Sequence, residues 1–287
     1  MFHFCADDYG ISKESCTRIE NCVKNGVLQK VSVLPNGEIA GFKERFAGTD
    51  VELALHVNLV EGIPLSDPKE VPMLIAEDGS FRHSFIGLFL LSLFANRKEF
   101  DRQVHTELRN QLRFWQAEMG EGTPISIDSH QHAYLIPRVF KILTRVIRED
   151  GITVRCMRVA AEPIVPYLLT PALYLSYRPS GLVKQWLLKL FALINLREFK
   201  KANAPTPCFM GVMFSGQMCH ERVKKLLPRY LEVAKRRNQM VEIGLHPGYF
   251  EEGETPMPGC QKSFEKFYFS PWRHKEYETL FEKQERI

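Results

Sequence analysis

The sequence predicts an α/β protein in which about seven mostly parallel strands form a distorted, TIM-barrel-like (β/α) barrel. Apolar segments of strand length alternate with amphipathic segments of helix length along the chain. No hairpin turn signals join neighbouring strands, which favours helical crossovers and a parallel sheet. About seven strands in 287 residues favour barrel-like closure over two domains, so we expect one domain over residues 1–287.

Each element follows from its own pattern. The segment VELALHVNL (51–59) is almost continuously apolar, as in a sheet buried on both faces. Residues 98–119 show apolar side chains at spacings of three and four, which predicts a helix. Pro137 suits the first turn of another helix. The remaining predicted strands are 2–6, 31–34, 124–127, 152–159, 208–214 and 240–245, and the remaining predicted helices are 12–25 and 220–237.

Composition excludes several classes of protein. With 45% hydrophobic residues and a net charge of +4, the chain can build a large core and lacks the clustered basic residues of a nucleic-acid-binding protein. Seven scattered cysteines without a C-x-x-C pair indicate reduced thiols and a cytoplasmic location. The N-terminus does not resemble a signal peptide, and the longest uncharged apolar run, 87–95, is too short to cross a bilayer.

Unusual polar residues follow five of the predicted strands. In parallel α/β folds, active sites assemble at the C-terminal ends of the strands, so these residues predict one composite site. They are Asp7 and Asp8; His56, Asn58 and Glu61; Asp128, His130 and His132; Arg158 and Glu162; and His246.

The segment SIDSHQHAY (126–134) carries the strongest signal. Asp128, His130 and His132 occupy alternate positions, so an extended backbone would point all three to one face. Burying such a cluster is costly unless a metal or substrate satisfies it. Taken singly, the other groups have simpler explanations: the Asp7–Asp8 pair as turn or cap chemistry, His56 as a core histidine and His246 as part of a plain loop.

A carboxylate with two imidazoles is a common ligand set for a divalent metal with open coordination positions. Asp8, His56 and His130 would supply it. Asp7 would take a proton from a metal-bound water, His246 would protonate the leaving group, and Arg158 would hold Asp7 charged and oriented. This combination describes hydrolysis of an amide or ester. Magnesium, zinc, cobalt and nickel all remain open.

Four motifs resemble those of the YdjC-like carbohydrate deacetylases, which include the chitooligosaccharide deacetylases. They are ADDYG (6–10), LHVNLVEG (55–62), IDSHQH (127–132) and EIGLHPG (242–248). The resemblance implies a distorted barrel that removes the acetyl group from an N-acetylated sugar with one divalent metal. It also implies the same ligands, base and acid, with His132 lining the site. We further expect Asn58, Glu61, Asp128 and Glu162 to contact the substrate or to support the ligands. Cys5 and Val60 depart from the family pattern, which bears on substrate choice.

Other activities remain open at this stage. The same metal site could hydrolyse another amide, an ester or a phosphoester, and the chain could also be a sugar-binding protein without catalysis.

Residues 164–207 interrupt the alternation of strands and helices. The stretch 182–201 is apolar with interspersed lysines and an arginine. It could pack in the core or in a homodimer, close over the site as a lid, or make weak contact with a membrane surface. We expect a homodimer.

Overall fold

Seven parallel strands form one curled half-barrel. A computed structural model describes residues 1–282, so the last five residues of the predicted domain lie outside the described part. The strands are β1 (Phe2–Tyr9), β2 (Lys30–Val33), β3 (Glu52–Val57), β4 (Ile125–Ser129), β5 (Val154–Met157), β6 (Cys208–Met210) and β7 (Val241–Leu245). Their order is β5-β4-β3-β2-β1-β7-β6, with every neighbouring pair parallel. The predicted fold class is therefore confirmed.

Helices connect the strands and cover the outside of the sheet. They are α1 (Lys13–Asn25), α2 (Phe42–Arg45), α3 (Phe85–Phe94), α4 (Arg97–Met119), α5 (Pro137–Glu149), α6 (Val165–Leu168), α7 (Pro179–Ile194), α8 (Leu196–Ala202), α9 (His220–Arg237), α10 (Glu265–Tyr268) and α11 (Pro271–Thr279). Ser12 caps α1 by accepting a hydrogen bond from the Ser15 N–H at 3.0 Å. Pro137 opens α5 as predicted. The sequence did not reveal α10 and α11, whose residues reach the candidate site.

The two edges of the sheet approach each other without pairing as strands in the described chain. The N–H of Met157 in β5 donates to the carbonyl of Pro205, just ahead of β6, at 2.9 Å. The barrel is therefore distorted on this side. Residues 164–207, which lead into β6, are mainly helical, as their sequence suggested.

The hydrophobic core lies between the sheet and the surrounding helices. Val104, Leu108, Leu112 and Trp115 of α4 are all buried there, at the spacing that predicted this helix. The concave side of the sheet is polar instead. Within it, Lys30 of β2 reaches Glu242 of β7 with 2.8 Å between Nζ and Oε2. The curled sheet thus encloses charged side chains that need internal partners.

All seven cysteines are free. Within residues 1–282, no helix has the length and apolar character needed to cross a membrane.

Candidate metal centre and active site

A bulge at the end of β1 brings two consecutive aspartates into the same interior. The pairing of β1 with β2 shifts between Ala6 and Tyr9, and Asp8 adopts a left-handed backbone with φ of 67°. Neighbouring strand residues normally point to opposite faces, and a bulge with this conformation relaxes that rule. Asp7 and Asp8 are both buried. The strained backbone at Asp8 is the kind of outlier that accompanies functional sites.

His56 and Asp128 face each other across β3 and β4. They are register partners in the parallel pairing, and 2.6 Å separates His56 Nδ1 from Asp128 Oδ1. Asp128 Oδ2 accepts a further hydrogen bond from the Ser32 hydroxyl at 2.6 Å. The other ring nitrogen of His56, Nε2, lies 3.5 Å from Asp8 Oδ1. The sheet register therefore orients His56 toward Asp8.

The alternating pattern of Asp128, His130 and His132 does not continue on an extended backbone. Strand β4 ends at Ser129, and a 3₁₀ turn covers His130–Leu135. Gln131 and His132 have φ of 51° and 62°, so the expectation of three side chains on one strand face is wrong beyond Ser129. The turn nevertheless buries both His130 and His132, and both side chains line one cavity of the protein.

Asp8, His56 and His130 form a group whose donor atoms could hold a metal ion. One ligand atom from each lies within 4.8 Å of the others. His130 Nδ1 lies 2.8 Å from Asp8 Oδ1, and its Nε2 lies 2.7 Å from Glu61 Oε2. Each histidine therefore points one nitrogen at Asp8 and the other at a supporting carboxylate. This is the usual arrangement behind metal-binding histidines, so the donor set fits a divalent ion.

The carboxylates also set the protonation of the two histidines. Burial lowers the pKa of His56, but Asp128 and Asp8 outweigh it and raise the value to about 9. Burial likewise opposes protonation of His130, whose pKa Asp8 and Glu61 raise to about 10. Despite burial, His130 and His56 hold the pKa of Asp8 well below its usual range. The neighbouring carboxylates therefore favour the protonated form of both imidazoles when no metal is bound.

Arg158 joins three buried carboxylates next to this group. Its Nη1 lies 2.9 and 2.7 Å from the two oxygens of Asp7, and its Nη2 lies 2.9 Å from Asp128 Oδ2. Its Nε donates to Glu242. The guanidinium thereby fixes the orientation of Asp7 and compensates its charge in the interior.

His246, which follows β7, is placed by residues from the C-terminal helices. Its backbone N–H donates to Glu276 at 2.5 Å, and its carbonyl accepts from Arg273 Nε at 3.0 Å. Its ring Nδ1 lies 3.3 Å from the same Glu276 carboxylate, and Phe267 packs edge-on against the imidazole. These contacts position the imidazole beside Asp8, whose Oδ2 lies 3.4 Å from Arg273 Nη2.

One cavity of about 210 Å³ unites these groups. It is lined by Asp7, Asp8, His56, Ser129, His130, Gln131, His132, Lys184, Ser215, His246, Phe264 and Phe267. Burial, together with Lys184 and Arg158, lowers the pKa of His132 well below its usual range, so its imidazole is neutral. A polar pocket with two carboxylates and a cluster of imidazoles is suited to hydrolytic chemistry.

Comparison with known proteins identifies the family of this chain. The model of the family described as YdjC-like protein matches residues 2–286. This chain belongs to the YdjC-like family.

Two relatives share the name carbohydrate deacetylase. One, from Danio rerio, is 27% identical over 295 residues, which cover 96% of this chain and 89% of that protein. The other, from Geobacillus stearothermophilus, is 28% identical over 225 residues, or 77% of this chain and 85% of that protein. A crystal structure from Enterococcus faecalis, of a protein provisionally named for cellobiose-phosphate cleavage, aligns with a TM-score of 0.66. At 18% identity over 99% of this chain and 91% of that one, it supports the fold alone.

Two residues expected near the site support it from behind in this YdjC-like protein. Asn58 accepts hydrogen bonds from the N–H groups of Val60 and Glu61 at 3.1 Å each, which folds the loop after β3. Glu61 is completely buried and also receives hydrogen bonds from the Tyr268 hydroxyl and the Gln261 N–H. Both therefore shape the surroundings of His130.

Glu162 lies apart from the metal group. Its carboxylate accepts the N–H groups of Gly211, Val212 and Met213 at 2.5, 2.9 and 3.0 Å and the Tyr167 hydroxyl at 2.9 Å. Burial raises the pKa of Glu162. The structure thus places Glu162 under the turn after β6, outside the lining of the cavity that contains Asp8, His56 and His130.

Several site residues escaped the sequence analysis. Lys184 lines the cavity from α7, and burial lowers its pKa. In the sequence, the feature that could have identified Lys184 is its position in a largely apolar predicted helix. Arg273 and Glu276 sit three positions apart on α11, a pattern common to surface helices. Glu242 stands in the buried strand VEIGL, where an acidic residue is rare without a partner.

Proposed function

We propose that this YdjC-like protein is a metal-dependent hydrolase that removes the acetyl group from an N-acetylated sugar or oligosaccharide. The observation that carries the proposal is the shared cavity, in which Asp8, His56 and His130 face Asp7 and His246. The names of the two relatives support the sugar substrate.

Asp8, His56 and His130 are the proposed ligands of one divalent ion, magnesium or zinc foremost. Such an ion supplies Lewis-acid chemistry, polarising the amide carbonyl and lowering the pKa of a water molecule. The His56 Nε2 and His130 Nδ1 atoms face Asp8, while Asp128 and Glu61 hold the opposite ring nitrogens. The ring orientations are therefore fixed before any ion arrives.

Asp7 is the proposed base. Arg158 holds both oxygens of its carboxylate, which orients Asp7 to accept a proton from the attacking water. His246 is the proposed acid, which gives a proton to the leaving amine nitrogen. The Glu276 carboxylate lies 3.3 Å from its Nδ1 and helps to position the ring beside the cavity. His132, whose imidazole is neutral, and Lys184 line the space that the sugar would occupy.

Acetate release from N-acetylglucosamine oligomers tests this function directly. The protein would be stripped with a chelator and each divalent metal restored separately. Release that requires metal and disappears in Asp7→Asn, while that variant still binds metal, is the expected result. Asp150→Asn, a carboxylate paired with Arg109 away from the cavity, is the matched control and should retain activity.

Failure would distinguish the alternatives. Tight metal binding without acetate release would direct attention to another amide, an ester or a phosphoester. Sugar binding without any hydrolysis would indicate a non-catalytic protein. The seven free thiols suit a reducing compartment, so we place the reaction in the cytoplasm.

A further inference from the structure

Helices α3 and α7 both expose large apolar side chains. On α3, Ile86, Leu90, Leu93 and Phe94 are between 47% and 82% exposed. On α7, Val183, Trp186, Leu190, Leu193 and Ile194 are between 52% and 68% exposed. The two helices contact each other through aromatic rings. The ring centroids of Phe85 and Phe89 on α3 lie 6.2 and 4.9 Å from that of Phe191 on α7. We call this surface the α3–α7 face. Apolar patches of this kind mark sites where a protein meets a partner or a membrane.

Helix α7 carries apolar side chains on its buried side and on its exposed side. Gln185, Leu188, Phe191 and Ala192 are buried on the side that packs against the protein. The outward side is apolar instead of charged, which costs free energy in water unless something covers it. Lys184 extends from the same helix into the candidate active-site cavity. Whatever covers the outward side therefore lies about one helix diameter, ~10 Å, from the cavity.

Positive charge surrounds this surface. Residues 165–202 carry a net charge of +5, against +4 for the whole 287-residue chain, so the remainder is −1. Arg178, Arg197, Lys200 and Lys201 are exposed, and Lys189 is partly buried beside Trp186. Helix α3 contains no charged residue. An apolar surface with a tryptophan, bordered by cations, matches the anionic lipid–water interface.

The charge also argues against a second copy of the chain as the occupant. A symmetric dimer brings the same patch of both copies together, which here would place the exposed Arg178, Arg197 and Lys200 of one copy near those of the other. Anionic lipid headgroups neutralise the same charge. The electrostatics therefore favour a membrane surface.

A cavity beside the face has a lining that suits a lipid. It has a volume of about 420 Å³ and is lined by Ala192, Leu193, Leu196 and Phe199, with Lys189, Arg237 and the buried Glu162 among its other lining residues. Apolar walls next to cationic side chains are suited to a hydrocarbon chain with an anionic head. Leu193 and Lys189 belong to α7, so this cavity continues the α3–α7 face.

We propose that the α3–α7 face docks on anionic phospholipid membranes as a peripheral surface. Docking inserts Trp186 and the neighbouring leucines among the headgroups while Arg197 and Lys200 contact lipid phosphates. The proposal does not depend on the deacetylase function, because it concerns a surface that is separate from Asp7, Asp8 and the histidines.

Flotation of the full chain with lipid vesicles tests the proposal. We expect binding to vesicles of phosphatidylcholine mixed with phosphatidylglycerol, little binding to phosphatidylcholine alone, and weakening by salt. Trp186→Ser should lower the partition coefficient by about tenfold, and the double variant Arg197→Glu/Lys200→Glu by about tenfold or more. All three side chains are exposed, and thermal unfolding would confirm that the variants fold.

Matched control variants distinguish binding through the α3–α7 face from non-specific binding to vesicles. Phe281→Ser removes an exposed aromatic ring elsewhere, and Lys224→Glu/Lys225→Glu makes the same charge change on α9. Both should bind vesicles like the unaltered chain. Absence of binding to the anionic vesicles, or equal loss in variants and controls, would overturn the proposal. A dimer in sedimentation velocity that Trp186→Ser dissociates, without vesicle binding, would assign the face to a second copy instead.

Discussion

His56 and Asp128 are register partners on adjacent parallel strands, and their hydrogen bond spans 2.6 Å between Nδ1 and Oδ1. Because strand pairing sets their relative position, the sheet itself directs His56 Nε2 toward Asp8. Asp128 is in turn held by Ser32 and Arg158. The proposed metal centre is thus supported by the packing of the barrel interior.

Asp128→Asn should weaken metal binding by about 10- to 100-fold, because the amide cannot orient His56 or increase its basicity as a carboxylate does. Competition with a chelating dye would measure the affinity. Asp150→Asn changes a remote aspartate in the same way and should leave the affinity unaltered. Equal affinities for Asp128→Asn and the unaltered protein would show that His56 is not a ligand or that Asp128 does not support it.

The metal-free protein should lose stability as the pH rises from neutral to alkaline. The folded-state pKa values of His56 and His130, about 9 and about 10, lie above the usual value near 6.5. Their stabilisation is therefore complete below pH ~6.5 and disappears as the pH rises through the folded-state values. Metal binding requires neutral imidazoles, so metal affinity should increase over the same interval.

Thermal unfolding in the presence of a chelator, at a series of pH values, would reveal this trend. His56→Gln should flatten the dependence, whereas His105→Gln, at the surface beside Glu149, should preserve it. A dependence that is the same in His56→Gln and the unaltered protein would exclude His56 as its source.

The sequence was informative where a pattern is local. The apolar repeat of α4 and the apolar run of β3 around His56 predicted these elements to within a few residues. The spacing of apolar side chains along the sequence indicates which residues of a helix or strand are buried. The polar residues predicted at strand ends make up half of the cavity lining, because the C-terminal ends of parallel strands meet at one edge of the sheet.

Features that depend on pairing between distant segments could not be read in this way. The bulge at Asp7–Asp8 arises from the register between β1 and β2, and the turn at His130 breaks an alternation that the letters alone suggest. Arg273 and Glu276 look like surface helix residues until the chain folds back over the barrel. Glu162 follows the end of β5, yet its carboxylate accepts hydrogen bonds from backbone N–H groups in the turn after β6.

Arg158→Gln should destabilise the protein by about 3–5 kcal/mol, the usual cost of leaving buried charges without a partner. The guanidinium contacts Asp7, Asp128 and Glu242, and glutamine carries no charge to compensate them. Urea unfolding would measure the difference. Arg102→Gln, which breaks an exposed pair with Glu99, should cost less than about 1 kcal/mol. Similar costs for both variants would mean that the interior network adds little to stability.

Glu61 and Glu162 offer a paired test of which acidic residues serve the metal centre. Glu61 holds His130 Nε2, so Glu61→Gln should lower metal affinity by about 10- to 100-fold. Glu162 instead accepts three backbone N–H groups after β6. Glu162→Gln replaces one acceptor oxygen with a donor facing those groups, which should cost about 1–3 kcal/mol of stability and leave metal affinity unchanged.

Dye competition and urea unfolding on both variants would separate the two roles, with each variant serving as the control for the other. A loss of metal affinity in Glu162→Gln would link the turn after β6 to the metal centre. Lys184 would be the candidate connection, because Glu162 acts electrostatically on Lys184, which lines the cavity. Unchanged affinity in both variants would instead mean that His130 needs no carboxylate behind it, and that Asp8 alone orients the ring through Nδ1.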